Sequence, residues 1–172
     1  MIDVASNPSD AVETAMNLFG NDIFRLAFSY MKRKEDAEDI VQDVLVRFMQ
    51  SENIFEDGEQ MKAWLLRVAA NVCKDYLKAS ERKKVVALPE GYETVASDEA
   101  IPEGESEVLA AVMALPEKYR SVIHLYYYQE YSTKEIAEIL EKKEATIRSL
   151  LKRGRERLEK MMKGDDGYAK RV

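Results

Sequence analysis

Cysteine, histidine and tryptophan each occur once among these 172 residues, proline four times and glycine seven times. With Cys73 alone, no internal disulfide can form, and nothing points to an oxidising compartment. Cys73 falls on an apolar helical stripe and reads as a small core residue. His124, set among tyrosines, reads as structural rather than catalytic. There is no glycine-rich phosphate loop and no nucleophile motif. The carboxylates Asp36, Glu38, Asp39 and Asp43 spread around a helix without a histidine or a second acidic cluster, so they do not read as a metal site. The expectation is a non-enzyme with no catalytic residue, no metal and no cofactor. Few turn residues argue for helices over many short strands. No apolar run approaches the roughly 18 residues of a membrane span, and no basic-then-apolar signal opens the sequence. A cytoplasmic protein without membrane insertion is expected.

What is present is charge and helical periodicity. Apolar residues make up 46% of the chain and charged residues 34%, enough for packed cores under polar surfaces. The formal net charge of -6 conceals an uneven layout. Residues 1–80 hold 9 basic and 14 acidic side chains, 81–107 hold 3 and 8, and 108–172 hold 14 and 10. Such asymmetry suggests different partners for different segments. The middle stretch, ERKKVVALPEGYETVASDEAIPEGESE, contains two of the four prolines and two of the seven glycines and sustains no period. It reads as a flexible acidic linker. It separates a domain of about 80 residues from one of about 60, and neither half shows an internal repeat.

In the first half, residues 34–50 place Ala37, Ile40, Val41, Val44, Leu45 and Phe48 on one amphipathic stripe. Glu35, Asp36, Glu38 and Asp39 lie at its start, where the helix dipole favours negative charge. A second stripe runs through 59–80 as Met61, Trp64, Leu65, Val68, Ala69, Val72, Cys73, Tyr76 and Leu77. Opposite it, Arg67, Asn71, Lys74, Lys78 and Arg82 recur at i, i+4, i+7, i+11 and i+15. This line reads either as a solvated face or as a track for a nucleic-acid backbone. Upstream, a helical stretch over about 10–31 is expected to divide or bend at Gly20. The first domain is therefore expected to be a small all-helical bundle.

In the second half, Pro116 suits a first helical turn, and Tyr119, Val122, Ile123, Tyr126 and Tyr127 form the buried stripe after it. Ser132 with Glu135 makes a capping box that opens a short helix, 133–140. Four residues, EKKE, lead into a helix from Ala145 to about Met162, with Ile147, Leu150, Leu151, Gly154 and Leu158 inward. Short helix, short turn and longer basic helix form a helix-turn-helix pattern. Arg148, Ser149, Lys152, Arg153 and Arg155 lie off the apolar stripe. Arg148 and Ser149 occupy the end that reaches base edges, where an arginine bonded bidentately to guanine is worth roughly 1–3 kcal/mol of discrimination. Lys152, Arg155 and Arg157 suit phosphates, which orient a protein without reading sequence. The plain alternative, a solvated charged face, is weakened by the capped helix and tight turn upstream.

Four stretches in order, DAEDIVQDVLVRF (36–48), AWLLRVAANVCKDYLK (63–78), LPEKYRSVIHLYYYQEYSTKEIAEIL (115–140) and TIRSLLKRGRERL (146–158), resemble a bacterial sigma factor. More narrowly, they resemble the extracytoplasmic-function group (group IV) of the sigma-70 family, which retains only regions 2 and 4. The resemblance covers about residues 10–160. It implies an all-α chain of two small helical domains: region 2 within 1–84, a flexible acidic linker over 85–105, a region 4 helix-turn-helix domain over 106–163 and a disordered tail, 164–172. It further implies a protein that binds core RNA polymerase and directs promoter-specific initiation of transcription.

The resemblance also implies roles for single residues. Glu38, Asp39, Gln42 and Asp43 match the motif that meets the β′ clamp helices of the polymerase. The loop NIFEDGEQ (53–60), with Phe55 as its strand contact, and Arg67, Asn71, Lys74, Lys78 and Arg82 correspond to the parts that melt and hold the −10 promoter element. Thr146, Arg148, Ser149, Lys152, Arg153 and Arg155 would bind the −35 element, and the apolar surface of the same domain would meet the β flap. An anti-sigma factor is a further partner typical of the family. Melting needs no catalytic group: a base leaving the duplex costs a few kcal/mol, recovered by a pocket, by charge and by aromatic faces. Trp64, on the apolar stripe, reads as core before it reads as a stacking platform.

Two departures from the family pattern stand out. Where the turn usually has glycine followed by an apolar residue, this chain has Glu141 and Lys142, so Glu141 is strained if the position needs a positive φ. Gly154 stands where alanine is common, at about 1 kcal/mol of helix propensity, which close packing on a neighbouring helix would explain. The alternative reading is a stand-alone helix-turn-helix regulator that binds its operator as a dimer. It accounts for 106–163 but leaves the acidic 36–43 face and the basic line of 67–82 without a purpose.

Overall fold

In the computed structural model, which describes residues 1–86 and 106–164, the chain divides into two units, Met1–Ser97 and Asp98–Val172. The first begins with a short strand β1 (Ile2–Asp3) and helix α1 (Pro8–Met31). Asn7 caps α1 by accepting a hydrogen bond from the Asp10 backbone, and Pro8 stands in the first turn, where its missing N–H costs nothing. The expected division at Gly20 is not observed. One glycine costs about 1 kcal/mol of propensity, and burial of the stripe containing Ala15, Ile23, Leu26 and Ala27 outweighs it. The helix ends at Lys32, whose left-handed φ of 60° turns the chain.

Helix α2 (Lys34–Met49) buries Ala37, Ile40, Val41, Val44 and Phe48, as its periodicity predicts. Strand β2 (Ile54–Phe55) pairs antiparallel with β1, Ile2 opposite Phe55 and Asp3 opposite Ile54. Helix α3 (Gly58–Val86) follows and packs on both α1 and α2. Its fully buried Leu65, Leu66, Ala69, Val72 and Cys73 complete the core. The ion pair Lys62–Asp22, at 3.2 Å, joins α3 to α1. Tyr76, expected on the buried stripe, is exposed instead, on the stretch of α3 after Cys73 where none of residues 74–82 is buried. Of the expected linker, 81–86 continue α3 and 106–107 open the next helix. The remainder, and 165–172 of the expected tail, lie outside the described residues.

The second unit runs α4 (Ser106–Ala114), α5 (Glu117–Ile123), a π-helical segment (His124–Tyr128), α6 (Thr133–Leu140) and α7 (Glu144–Met162). Pro116 is the residue preceding α5 rather than part of its first turn. Arg120 is buried and donates to the carbonyls of Leu115 at 2.6 Å and Met113 at 3.3 Å, tying α5 to the end of α4. The expected burial of Tyr126 and Tyr127 is corrected: Tyr126 is half-buried and Tyr127 exposed. The wide π turn, marked by the bond from the Gln129 N–H to the His124 carbonyl, buries His124 and Leu125 and rotates the tyrosines outward.

Candidate nucleic-acid interface

Ser132 and Glu135 form the reciprocal capping box that starts α6. The Ser132 backbone N–H and hydroxyl donate to the Glu135 carboxylate at 2.8 and 2.7 Å. These two bonds hold that carboxyl below its ordinary value of 4.5, against the smaller effect of burial. The helix stops at Glu141, whose φ of 53° is left-handed, so the strain anticipated where the family has glycine is present. The next helix, α7, then packs on α5 and α6. A Cβ on Gly154 would lie 2.8 Å from Ile123 Cδ1 and 3.4 Å from Tyr119 Cβ, which explains a glycine inside the helix. The buried anchors Ile147, Leu151 and Gly154 leave Ala145, Thr146, Arg148, Ser149, Lys152, Arg153 and Arg155 exposed.

These exposed residues do not form one face. Arg148 donates to Glu144 at 2.8 Å, and Glu144 also accepts from the Thr133 hydroxyl at 2.8 Å, linking the starts of α6 and α7. The Thr133 and Arg148 bonds, with the charges of Arg148 and Lys134, hold the Glu144 carboxyl below its ordinary value of 4.5 against burial. Glu144 was not singled out by sequence reasoning; its i, i+4 spacing to Arg148 was the available signal. Arg155 donates its Nε to the Tyr127 hydroxyl at 2.6 Å and lies 5.3 and 5.5 Å from the Tyr126 and Tyr127 ring centres. Arg153 instead borders a cleft with Tyr119, Glu156, Arg157 and Lys160.

In the first unit, Glu38, Asp39 and Gln42 are exposed on α2, opposite its buried stripe. Asp43 is half-buried and pairs with Arg47 at 3.3 Å. On α3, Arg67, Asn71 and Lys74 are half-buried while Lys78 and Arg82 are exposed, so the basic line exists as a surface track. Phe55 is a correction. It is only 4% exposed, 6.0 Å from the Phe48 ring and 5.9 Å from that of Trp64, and a side chain so enclosed cannot stack on a base. Strand pairing turns it inward: its neighbour Ile54 takes the outward position at 57% exposure. Trp64 is half-buried in the same aromatic cluster. Cys73 is fully buried, and His124 is buried and stacked on Tyr128 at 5.6 Å. Among the described residues no group of three or more His, Cys, Asp or Glu is placed to hold a metal, and no helix is long and apolar enough to cross a membrane.

Residues 16–83 match the family described as Sigma-70 region 2, and residues 105–158 match Sigma-70, region 4. The ECF RNA polymerase sigma factor SigM of Bacillus subtilis (strain 168) is 31% identical over 153 residues, 86% of this chain and 92% of that protein. SigW of the same organism is 28% identical over 174 residues, 93% of each chain. Among solved structures, the sigma factor RpoE in complex with the anti-sigma factor NepR, from Bartonella quintana, superposes with a TM-score of 0.69. That match has 24% identity and covers 89% of this chain and 97% of that one, showing a shared fold. Two ordered sigma-70 regions, a helix-turn-helix with a basic second helix and relatives spanning nearly the whole length agree. The chain belongs to the extracytoplasmic-function sigma factors of the sigma-70 family, which bind core RNA polymerase and direct promoter-specific initiation of transcription.

Proposed function

We propose a division of this activity between the two units. Residues 1–84 bind core polymerase through Glu38, Asp39, Gln42 and Asp43 on α2, and engage the −10 element through Arg67, Asn71, Lys74, Lys78 and Arg82 on α3. Residues 106–163 bind the −35 element through Thr146, Arg148, Ser149, Lys152, Arg153 and Arg155, and residues 85–105 connect the two. The observation that carries this reading is the pair of opposite surfaces: an acidic exposed face on α2 and a basic exposed α7 behind a tight turn. A stand-alone regulator has no use for the first of these and is not favoured. Clamp helices of the β′ subunit and the β flap are the proposed polymerase contacts. An anti-sigma factor is a further proposed partner, supported by the complexes with NepR and, for CnrH, with the cytosolic domain of CnrY (TM-score 0.65, 21% identity, 94% of both chains). The protein acts in the cytoplasm, without catalytic group, metal or cofactor, because melting is driven by binding alone.

The polymerase contact is tested by Asp39→Arg combined with Asp43→Arg. The double variant is expected to lose association with core polymerase in a pull-down while its circular dichroism stays helical. Undiminished association refutes the assignment of the α2 face.

A further inference from the structure

The match to region 2 begins at residue 16, yet the residues before it are built into the first unit. Strand β1 lies antiparallel to β2, and beside them the Val4 N–H donates to the Asn53 carbonyl at 3.2 Å. Val4 is fully buried. The Asp3 carboxylate accepts from the Ala5 and Ser6 N–H groups at 3.1 and 3.3 Å and from the Ser6 hydroxyl at 2.6 Å, and Asn7 then caps α1. These bonds anchor the segment independently of the loop it touches. That loop, between α2 and α3, is held differently along its length. At its start the Ser51 hydroxyl and N–H donate to the Phe48 carbonyl at 2.8 and 3.0 Å. At its end the Gln60 side-chain oxygen accepts from the Glu56 N–H at 2.7 Å, and the Asp57 carboxylate accepts from the Gln60 N–H at 2.8 Å. Both ends are therefore tied to the adjoining helix. The middle, 53–55, takes its backbone partner from the β1 segment, and its side chains alternate, Phe55 inward and Ile54 outward.

We infer that residues 2–4 are a positioning strap: by pairing with 53–55 they hold the loop in the shape that discriminates −10 sequences, without touching DNA themselves. The inference rests on the −10 role proposed for the first unit. A lone pair of strands is marginal in water, and this one persists because Val4 and Phe55, at 0% and 4% exposure, lie in the core. Its register matters, because a slip of one residue exchanges the two faces of a strand. Phe55 would then leave the Phe48–Trp64 cluster and Ile54 would enter it. The strap thus fixes which part of the loop faces outward, namely Glu52, Ile54 and Glu56. Without it the middle samples other conformations while both ends stay tied. A loop that is competent for only a fraction of the time binds more weakly by that fraction. A promoter with a poor −10 element gains little from the loop and loses little with it. The strap therefore acts on discrimination rather than on binding in general.

The test uses the full-length protein assembled with core polymerase, and compares open-complex formation on promoters that differ only in the −10 or only in the −35 element. Val4→Pro removes the N–H that bonds Asn53. It should lower discrimination between −10 sequences by about tenfold, as for a loop competent about one-tenth of the time. Discrimination between −35 sequences and association with core polymerase should stay unchanged. Hydrogen exchange should quicken at 53–55 while the cores of α1, α2 and α3 remain protected, which separates a loosened loop from a lost fold. A disulfide supplies the rescue. Because Val4 and Asn53 are a bonded pair, the facing Asp3 and Ile54 are a non-bonded one, with Cα atoms about 4.5 Å apart, inside the disulfide range of about 4.4–6.8 Å. Asp3→Cys with Ile54→Cys should discriminate −10 sequences better oxidised than reduced, and since both forms share their side chains, any direct role of Ile54 cancels. Unchanged −10 discrimination by Val4→Pro in a −10-selective system, equal losses on −10 and −35 variants, or identical oxidised and reduced forms would overturn the strap alone. A wild-type holoenzyme indifferent to −10 sequence would overturn the −10 assignment and the strap's role with it, even where exchange at 53–55 quickened.

Discussion

At position 154 the second unit has room for a hydrogen and little more, since a Cβ there would lie 2.8 Å from the buried Ile123. A larger side chain must push α5 and α7 apart, and overpacking of this kind costs about 1–3 kcal/mol. Gly154→Val is therefore expected to lower the urea midpoint, and an unchanged midpoint would show that the helices have slack. The same contact was anticipated from a single glycine inside a helical stripe, where only close approach repays the lost propensity. Phe55 illustrates the opposite case. A loop aromatic has no periodic neighbours to declare its side, and only strand pairing with Ile2 turns it into the Phe48–Trp64 cluster. On α7, Arg148 and Lys152 sit on one flank but nearer and farther from the helix start. Arg148→Ala should change which −35 sequences are used, whereas Lys152→Ala should weaken all of them and flatten the salt dependence. Equal scaling of every promoter by both variants, in competition binding with the holoenzyme, would refute base reading by Arg148.

Among the elements, α6 offers a titratable start. The Glu135 carboxyl is held below 4.5 by the Ser132 bonds, so folding favours its ionised form. Its contribution to stability is present above the ordinary value and is lost as pH falls through the lower, folded value. Wild type should therefore exceed Ser132→Ala in thermal midpoint at neutral pH, and the difference should shrink as the pH is lowered below 4.5. A difference that is constant across that range would contradict the capping-box account. The box and both helices of the helix-turn-helix were legible because capping residues and a 3.6-residue stripe are local signals. Tyr126 and Tyr127 were misplaced because the same stripe was extended through a π turn, whose wider register no residue in HLYYYQ announces. The β1–β2 pair was missed for a related reason: two-residue strands are too short to show alternation.

For the whole molecule, charge asymmetry is the most informative feature of the sequence, because it suggests different partners for different segments. The structure gives each helical unit a charged surface of its own: exposed Glu38 and Asp39 on α2 in the first, the basic flanks of α7 in the second. The two together suit a factor whose task is to hold polymerase and promoter at once. The pairings were legible only in part: Asp43–Arg47 and Glu144–Arg148 have the i, i+4 spacing of helix pairs, whereas Arg155–Tyr127 depends on a tertiary neighbour that no local spacing announces. The most direct measurement is run-off transcription from a genomic library by core polymerase with and without the purified protein, paired with duplex-binding titrations of the protein alone. The account predicts transcripts from a discrete set of promoters only when both components are present, and no tight sequence-specific binding by the protein alone. Tight operator-specific binding by the free protein, with no initiation added to core polymerase, would contradict it.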